Sequence, residues 1–225
     1  MSQCYPERLT PIARAERHTG EMLMGWPPPN PRFTVDDYLA MEREADERHI
    51  YLDGEIYAMA GERPELGFIS MNIGGLLHSQ LRGKPCGVLA KDTKVRSGPT
   101  PLSGKSAKGL FSYPDVLVVC DELEFHDAFR DVIINPTMIA EVLSESTEAF
   151  DRGEKFNRYR QWNPTLRDYL LVSQNRPRIE YFSRQPDGSW SYHCYEGLDK
   201  QVVIASIQCE LKLADVYERI KLPEE

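Results

Sequence analysis

Apolar residues recur along this chain with two different periods, and each change of period marks a change of element. The first 31 residues hold no sustained period and close on Pro27-Pro28-Pro29-Asn30-Pro31. Order begins at Thr34-Val35-Asp36-Asp37, a threonine followed by an acid at the third helical position, which is a helix-capping pattern. Tyr38, Leu39 and Met41 form the apolar face of that helix. Arg48 to Ala60 reads as a hairpin around Asp53-Gly54, a dipeptide that accepts the positive φ of a tight turn. Ile69, Ile73, Leu76, Leu77 and Leu81 then fall at helical spacing and predict a second helix running up to Gly83. Cys86 to Arg96 is strand-like. Ser97 to Gly109, rich in Gly, Ser, Pro and Lys, predicts a loop.

The second half is built on short β-branched runs. Asp115-Val116-Leu117-Val118-Val119-Cys120, Met138-Ile139-Ala140-Glu141-Val142-Leu143 and Asp168-Tyr169-Leu170-Leu171-Val172-Ser173 each predict a buried strand. A helix over Asp151 to Trp162 separates the last two, and in it Lys155 shares a face with Tyr159 and Trp162. A β-rich tail follows, with Ile179 to Phe182, Trp190 to Tyr195 and Val202 to Ile204 as strands and a turn at Pro186-Asp187-Gly188. Leu213 to Ile220 predicts a closing helix. These elements give an α/β or α+β class, a mixed sheet flanked by helices with a β-rich C-terminal part. The expected organisation is a flexible arm over 1–31 and one domain over 32–225.

Composition narrows the function. With 225 residues, 41% of them hydrophobic, the chain can build one sizeable core. No run approaches the roughly 18 apolar residues of a membrane span, so a soluble, cytoplasmic protein is expected. Five cysteines without CxxC spacing read as reduced, structural thiols, neither a disulfide framework nor a zinc site. The histidines His49, His78, His126 and His193 show no ligand spacing either. A net charge of -8 excludes coating of nucleic acid by bulk electrostatics. Between Lys91 and Lys108, however, five basic residues face one acid, Asp92, and Arg152, Arg158 and Arg160 add to them. That pattern allows a basic edge toward DNA, with Lys94, Arg96, Lys105, Lys108 and Arg152 as candidate contacts.

The chemistry concentrates where acids interrupt apolar runs. Burying a lone carboxylate costs several kcal/mol or more, so Asp115 and Glu141 each require a cation, a proton or an ion-pair partner. Two acids on neighbouring strands suit Mg²⁺ (or Mn²⁺), which takes one or two carboxylates and completes its shell with water. Lys155 can lay its stem along the apolar face and deliver an ammonium beside them, stabilising developing charge. The competing reading of Lys155 is a surface pair with Asp151 at i,i+4. Ser144, Ser146 and Thr147 lack the surroundings of a nucleophile and read as helix caps.

Three ordered segments carry a family resemblance: Tyr113-Pro114-Asp115-Val116, then Asn135-Pro136-Thr137-Met138-Ile139-Ala140-Glu141-Val142-Leu143-Ser144, then Asp151-Arg152-Gly153-Glu154-Lys155. In these segments the chain resembles the Uma-type restriction endonucleases of the PD-(D/E)XK nuclease superfamily, over most of residues 32–220. The resemblance implies a restriction-endonuclease-like fold, Mg²⁺ dependence, DNA as substrate, Asp115 and Glu141 as metal ligands and Lys155 as the third catalytic residue. Two departures accompany it. Leu143 stands where the superfamily usually carries its lysine, and Ile50 stands where the family commonly carries a glutamate, so Glu55 and Asp92 enter as auxiliary acids. The alternatives are a non-catalytic interaction module that keeps the fold and a buried salt bridge in place of a metal site; a homodimer is left open.

Overall fold

The computed structural model describes residues 32–59, 64–99 and 107–222. The arm expected over 1–31 and the candidate contact Lys105 lie outside the described residues. Helix α1 (Val35–Glu42) is opened by a reciprocal cap, the Asp37 amide donating to Thr34 Oγ1 at 3.1 Å and the Thr34 amide to Asp37 Oδ2 at 3.0 Å. Strands β1 (His49–Leu52) and β2 (Glu55–Ala58) form the expected hairpin, with Asp53 at φ 47° and Gly54 at φ 94°. Glycine is required at the turn, because a Cβ on Gly54 would sit 2.7 Å from Arg32 Cβ.

Two sheets carry the architecture. The smaller has the order β2-β1-β5-β4-β7, using β4 (Lys94–Ser97), β5 (Leu110–Ser112) and β7 (Val132–Ile133). The larger has the order β11-β10-β9-β8-β6-β3. Its members are β3 (Cys86–Ala90), β6 (Val116–Cys120), β8 (Met138–Leu143), β9 (Asp168–Ser173), β10 (Arg178–Arg184) and β11 (Trp190–Glu196). β8 and β9 run parallel while β6 runs antiparallel to β8, so the sheet is mixed. This is the α+β class expected.

Alternation along the central strands decides which side chains face which layer. Val116, Val118, Met138, Ala140 and Val142 pack under α2 (Pro64–Leu81), whose Ile69, Ile73 and Leu77 are fully buried. Each such side chain contributes about 1.5–3 kcal/mol by leaving water. The hairpin of β12 (Gln201–Ile204) and β13 (Cys209–Lys212) and the short α5 (Leu213–Val216) complete that layer. Leu117, Ile139, Leu143 and Leu171 point the other way, onto Phe156 and Tyr159 of α4 (Phe156–Trp162). Glu141 is in phase with Ile139 and Leu143, so its carboxylate enters this second layer.

Four expectations need correction. The strand expected over Cys86 to Arg96 is two strands in different sheets, broken by the turn after Ala90. The helix expected from Asp151 is interrupted: a short α3 (Glu148–Phe150) runs into a π-helical turn (Asp151–Lys155) before α4 begins. The closing helix stops at Val216. Cys86 and Cys120 face each other across β3 and β6 and are joined as a disulfide, whereas Cys194 and Cys209 are free thiols. Spacing along the chain could not reveal this pair, since only the strand register brings the two residues together.

Candidate functional site

The site forms where β6 and β8 begin to separate. Val116 pairs with Ala140 and Leu117 with Ile139, and one further step of that register places Asp115 opposite Glu141. The Val142 amide donates to Asp115 Oδ2 at 2.7 Å, which fixes the aspartate against the strand that carries the glutamate. Glu141 is 2% exposed inside its apolar run. Neither acid is placed by accident of the surface.

The π-helical turn supplies the opposite charge. Widening the helix at Asp151–Lys155 turns both residues inward, where Asp151 is 3% and Lys155 4% exposed. Lys155 Nζ lies 2.8 Å from Glu141 Oε1 and 3.1 Å from Asp151 Oδ1, so the ammonium bridges two acids. The contact to Glu141 is an ion pair off the line of a hydrogen bond, and Oε1 receives no aligned donor. Of the two readings of Lys155, the structure combines parts of both: the i,i+4 pair with Asp151 exists, but it is buried and shared with Glu141. Tyr159 joins Lys155 inside, with its hydroxyl 2.8 Å from Ser112 Oγ, while Trp162 points outward. The Tyr169 hydroxyl donates to the Asp151 carbonyl at 2.9 Å and pins the turn.

Electrostatics follow from three acids sharing one ammonium. Burial pushes the Glu141 carboxyl well above the usual carboxylate range; Lys155 pulls it back, while Asp151 and Asp115 push it further up. Burial also raises Asp115, against the opposing pull of the Val142 amide and Lys155. Burial alone would lower the Lys155 ammonium, but Asp151 and Glu141 outweigh it and hold the lysine well above its ordinary value. Lys155 is therefore a fixed positive charge at neutral pH.

Of the remaining candidates, Asp92 borders the site, since it lines the same cleft as Asp115. Glu55 sits in the hairpin and takes the Tyr57 hydroxyl. Asp92 is an exposed residue paired with Arg48 at 3.0 Å. Ile50 is buried in an apolar cluster with Leu52, Tyr57, Leu110 and Phe150. Of the basic edge expected from Lys94, Arg96, Lys108 and Arg152, Lys108 and Arg152 are exposed and the other two are not. Lys94 and Arg96 are buried in β4, and the Arg96 guanidinium reaches the Pro99 carbonyl. Arg152 makes a two-pronged pair with Glu180 at 2.7 and 2.9 Å and a third contact to Glu148. Lys108 acts electrostatically on Asp53, which Arg158 clamps with two hydrogen bonds of 2.9 and 2.6 Å.

Two features escaped the sequence. Asp151 is a member of the cluster, yet an acid four residues before a lysine has the same pattern as a surface pair. The second is a cleft of about 740 Å³ between α2 and β3, lined by Phe68, Met71, Gly74, Gly75 and His78 and reaching Asp115. No helix among the described residues is long and apolar enough to cross a membrane.

Known proteins are similar to this chain in sequence and in fold. An uncharacterized protein of Synechocystis sp. (strain ATCC 27184 / PCC 6803 / Kazusa), slr1290, is 36% identical over 172 residues, covering 76% of this chain and 85% of its own length. A second from the same organism, sll1609, is 31% identical over 157 residues, covering 70% and 84%. The crystal structure described as a putative nuclease belonging to DUF820 from Anabaena variabilis ATCC 29413 superposes with a TM-score of 0.65 at 13% identity, covering 83% of this chain and 98% of that one. It shares the fold. The match to the family described as "Uma2: Putative restriction endonuclease" spans residues 35–214, which takes in Asp115, Glu141, Asp151 and Lys155, and the chain belongs to that family.

Proposed function

We propose that this chain is a Mg²⁺-dependent endonuclease (Mn²⁺ substituting) that hydrolyses DNA phosphodiester bonds, with Asp115 and Glu141 as the metal ligands and Lys155 as a catalytic charge. One observation carries the reading. Asp115, Glu141 and Asp151 interact in one largely buried cluster with a single ammonium, leaving a formal deficit of two positive charges. A divalent cation would close that deficit. Among the described residues no three His, Cys, Asp or Glu side chains gather as a ready-made metal cage. The proposed donor set is two carboxylates with water completing the shell, a chemistry that suits Mg²⁺ better than the N- and S-rich sites of Zn²⁺.

When bound, such an ion neutralises phosphate charge and lowers the pKa of a water. The chain's own residues divide the remaining work. The Val142 amide holds Asp115 in place; Asp151 anchors Lys155; and Lys155, protonated throughout the neutral range, stabilises charge on the phosphate and does not accept a proton. The Lys155–Glu141 ion pair supports a second reading, a purely structural salt bridge. Calorimetric titration with Mn²⁺ and cleavage of DNA with Mg²⁺ or Mn²⁺ separate them. Asp115→Ala and Glu141→Ala should each bring cleavage to background and remove Mn²⁺ binding. Lys155→Ala should retain the Mn²⁺ heat while lowering turnover by about 10²–10³, the scale of losing one preorganised charge donor. Wild-type protein with no Mn²⁺ heat would favour the salt bridge, and cleavage unchanged in both acid variants would point to a contaminating nuclease and overturn the assignment.

A further inference from the structure

We infer that the cleft beside Asp115 is a nucleobase subsite, and that the preferred substrate is single-stranded DNA whose base leaves the stack to enter it. The inference rests on the proposed phosphodiesterase reading. Its first support is continuity: Asp115 belongs to both the acid cluster and the wall of the cleft, so a strand with a phosphate at Asp115 has a neighbouring nucleoside at the cleft mouth. The second is the surface offered there. Phe68 and Met71 on α2 are 48% and 74% exposed, although every third or fourth residue of the same helix is fully buried. A phenyl ring and a thioether exposed beside charged chemistry suit the flat π-face of a base, whichever base it is.

The glycines give the third support. A Cβ built on Gly74 or Gly75 meets nothing within 4 Å, so these two residues leave a bare backbone floor between Phe68 and His78. Two consecutive glycines inside an 18-residue helix cost stability relative to alanine, about 0.5–1 kcal/mol each. An open floor gives a reason for that cost. The cleft volume of about 740 Å³ falls in the range of roughly 300–1,000 Å³ typical of sites for small-molecule-sized ligands, enough for a nucleoside.

The fourth support concerns what a duplex would need. Duplex DNA binds largely through Lys and Arg neutralising its phosphates. In this acidic chain Lys94 and Arg96 are buried and Arg152 is committed to Glu180 and Glu148. Apolar contact with an unstacked base adds affinity beyond what those three residues can offer to phosphates.

The test uses the full chain in chelated buffer, so that binding is read without metal or turnover. The probe is a fluorescent single-stranded oligonucleotide with one 2-aminopurine, compared with its duplex by anisotropy and by quenching of the 2-aminopurine. The single strand should bind about tenfold tighter or more. Phe68→Ala and Gly74→Leu should each weaken single-strand binding by roughly tenfold, the scale of losing one base stack, with duplex binding unchanged. Gly74→Leu adds a strong helix former at an open position, so it should melt no lower than wild type and its loss of binding cannot be blamed on unfolding. Equal or tighter duplex binding, or Gly74→Leu binding the single strand like wild type, overturns the inference. The two readings fail separately. Metal-supported cleavage that depends on Asp115 but not on Phe68 or Gly74 would sink the subsite alone, whereas cleft-dependent binding without metal-supported cleavage would sink the nuclease reading alone.

Discussion

At the scale of single residues, Asp115 and Glu141 oppose folding when no cation is present. A carboxyl whose folded-state pKa is raised contributes stability below its unfolded pKa and loses it as pH rises through the folded value. Asp115 and Glu141 are both raised, so at neutral pH each destabilises the metal-free protein. Asp115→Asn keeps an oxygen to accept from the Val142 amide and removes one negative charge. It should therefore raise the melting temperature in EDTA at pH 7, with the gain shrinking as the pH is lowered toward the carboxylate range. In Mg²⁺ the order should reverse, because a ligand at 100 times its Kd adds about 2.7 kcal/mol to the wild type alone. Thermal melts with and without Mg²⁺ check both halves, and a lower melting temperature for the variant in EDTA would contradict the charge argument. Ile50 poses the opposite problem. Packed with Leu52, Tyr57, Leu110 and Phe150, it lies in an apolar cluster and not among the acids. Ile50→Glu should cost about 2–4 kcal/mol of stability as an unpaired buried carboxylate and leave Mn²⁺ affinity unchanged. Tighter Mn²⁺ binding by this variant would instead show that the substituted acid reaches the site. The acids at 115 and 141 were legible in the sequence because a charge inside a β-branched run demands a partner. Asp151 was not, since its partner Lys155 satisfies an ordinary helical spacing.

At the scale of elements, the site depends on a helix that departs from 3.6 residues per turn. The sequence supports the hairpin at Asp53-Gly54, the α2 helix and the β6, β8 and β9 strands, because turn chemistry and period act locally. The π-helical turn leaves no such mark. Its formation depends on Asp151 and Lys155 being drawn inward together and on Tyr169 holding the Asp151 carbonyl, contacts between segments distant in sequence. The break between β3 and β4 is hidden for a related reason, since both halves are strand-like and only the two-sheet architecture separates them. Deleting Gly153, where a Cβ would meet nothing within 4 Å, should let the turn relax to regular α-helix. Asp151 and Lys155 would then stand three positions apart, about 60° from one another around the regular helix, so the Lys155 ammonium would lose its present bridging position between Asp151 and Glu141. The expected outcome is near-native far-ultraviolet circular dichroism with the Mn²⁺ heat retained and turnover lowered, as for Lys155→Ala. Unchanged turnover would mean that the π-turn does not position Lys155.

At the scale of the whole molecule, net charge and the placement of charge point in different directions, and the structure decides between them. A charge of -8 speaks against wide electrostatic contact with DNA, while the run of basic residues from Lys91 to Lys108 invites it. Sequence alone cannot say which lysines and arginines face water. Lys94 and Arg96 lie inside the smaller sheet, Arg158 clamps Asp53, and Arg152 spans Glu148 and Glu180, so much of that basic character holds the fold together. Binding of DNA should consequently release few counterions. With about two phosphates neutralised on a single strand, affinity should fall less than roughly tenfold between about 50 and 200 mM salt, against about 10³–10⁵ for a protein making 6–10 phosphate contacts. Anisotropy titrations across that salt range measure the slope directly. A shallow slope locates the binding energy in the cleft and the acid cluster, whereas a steep one would mean that exposed basic residues such as Lys108 and Arg160 track the phosphate backbone.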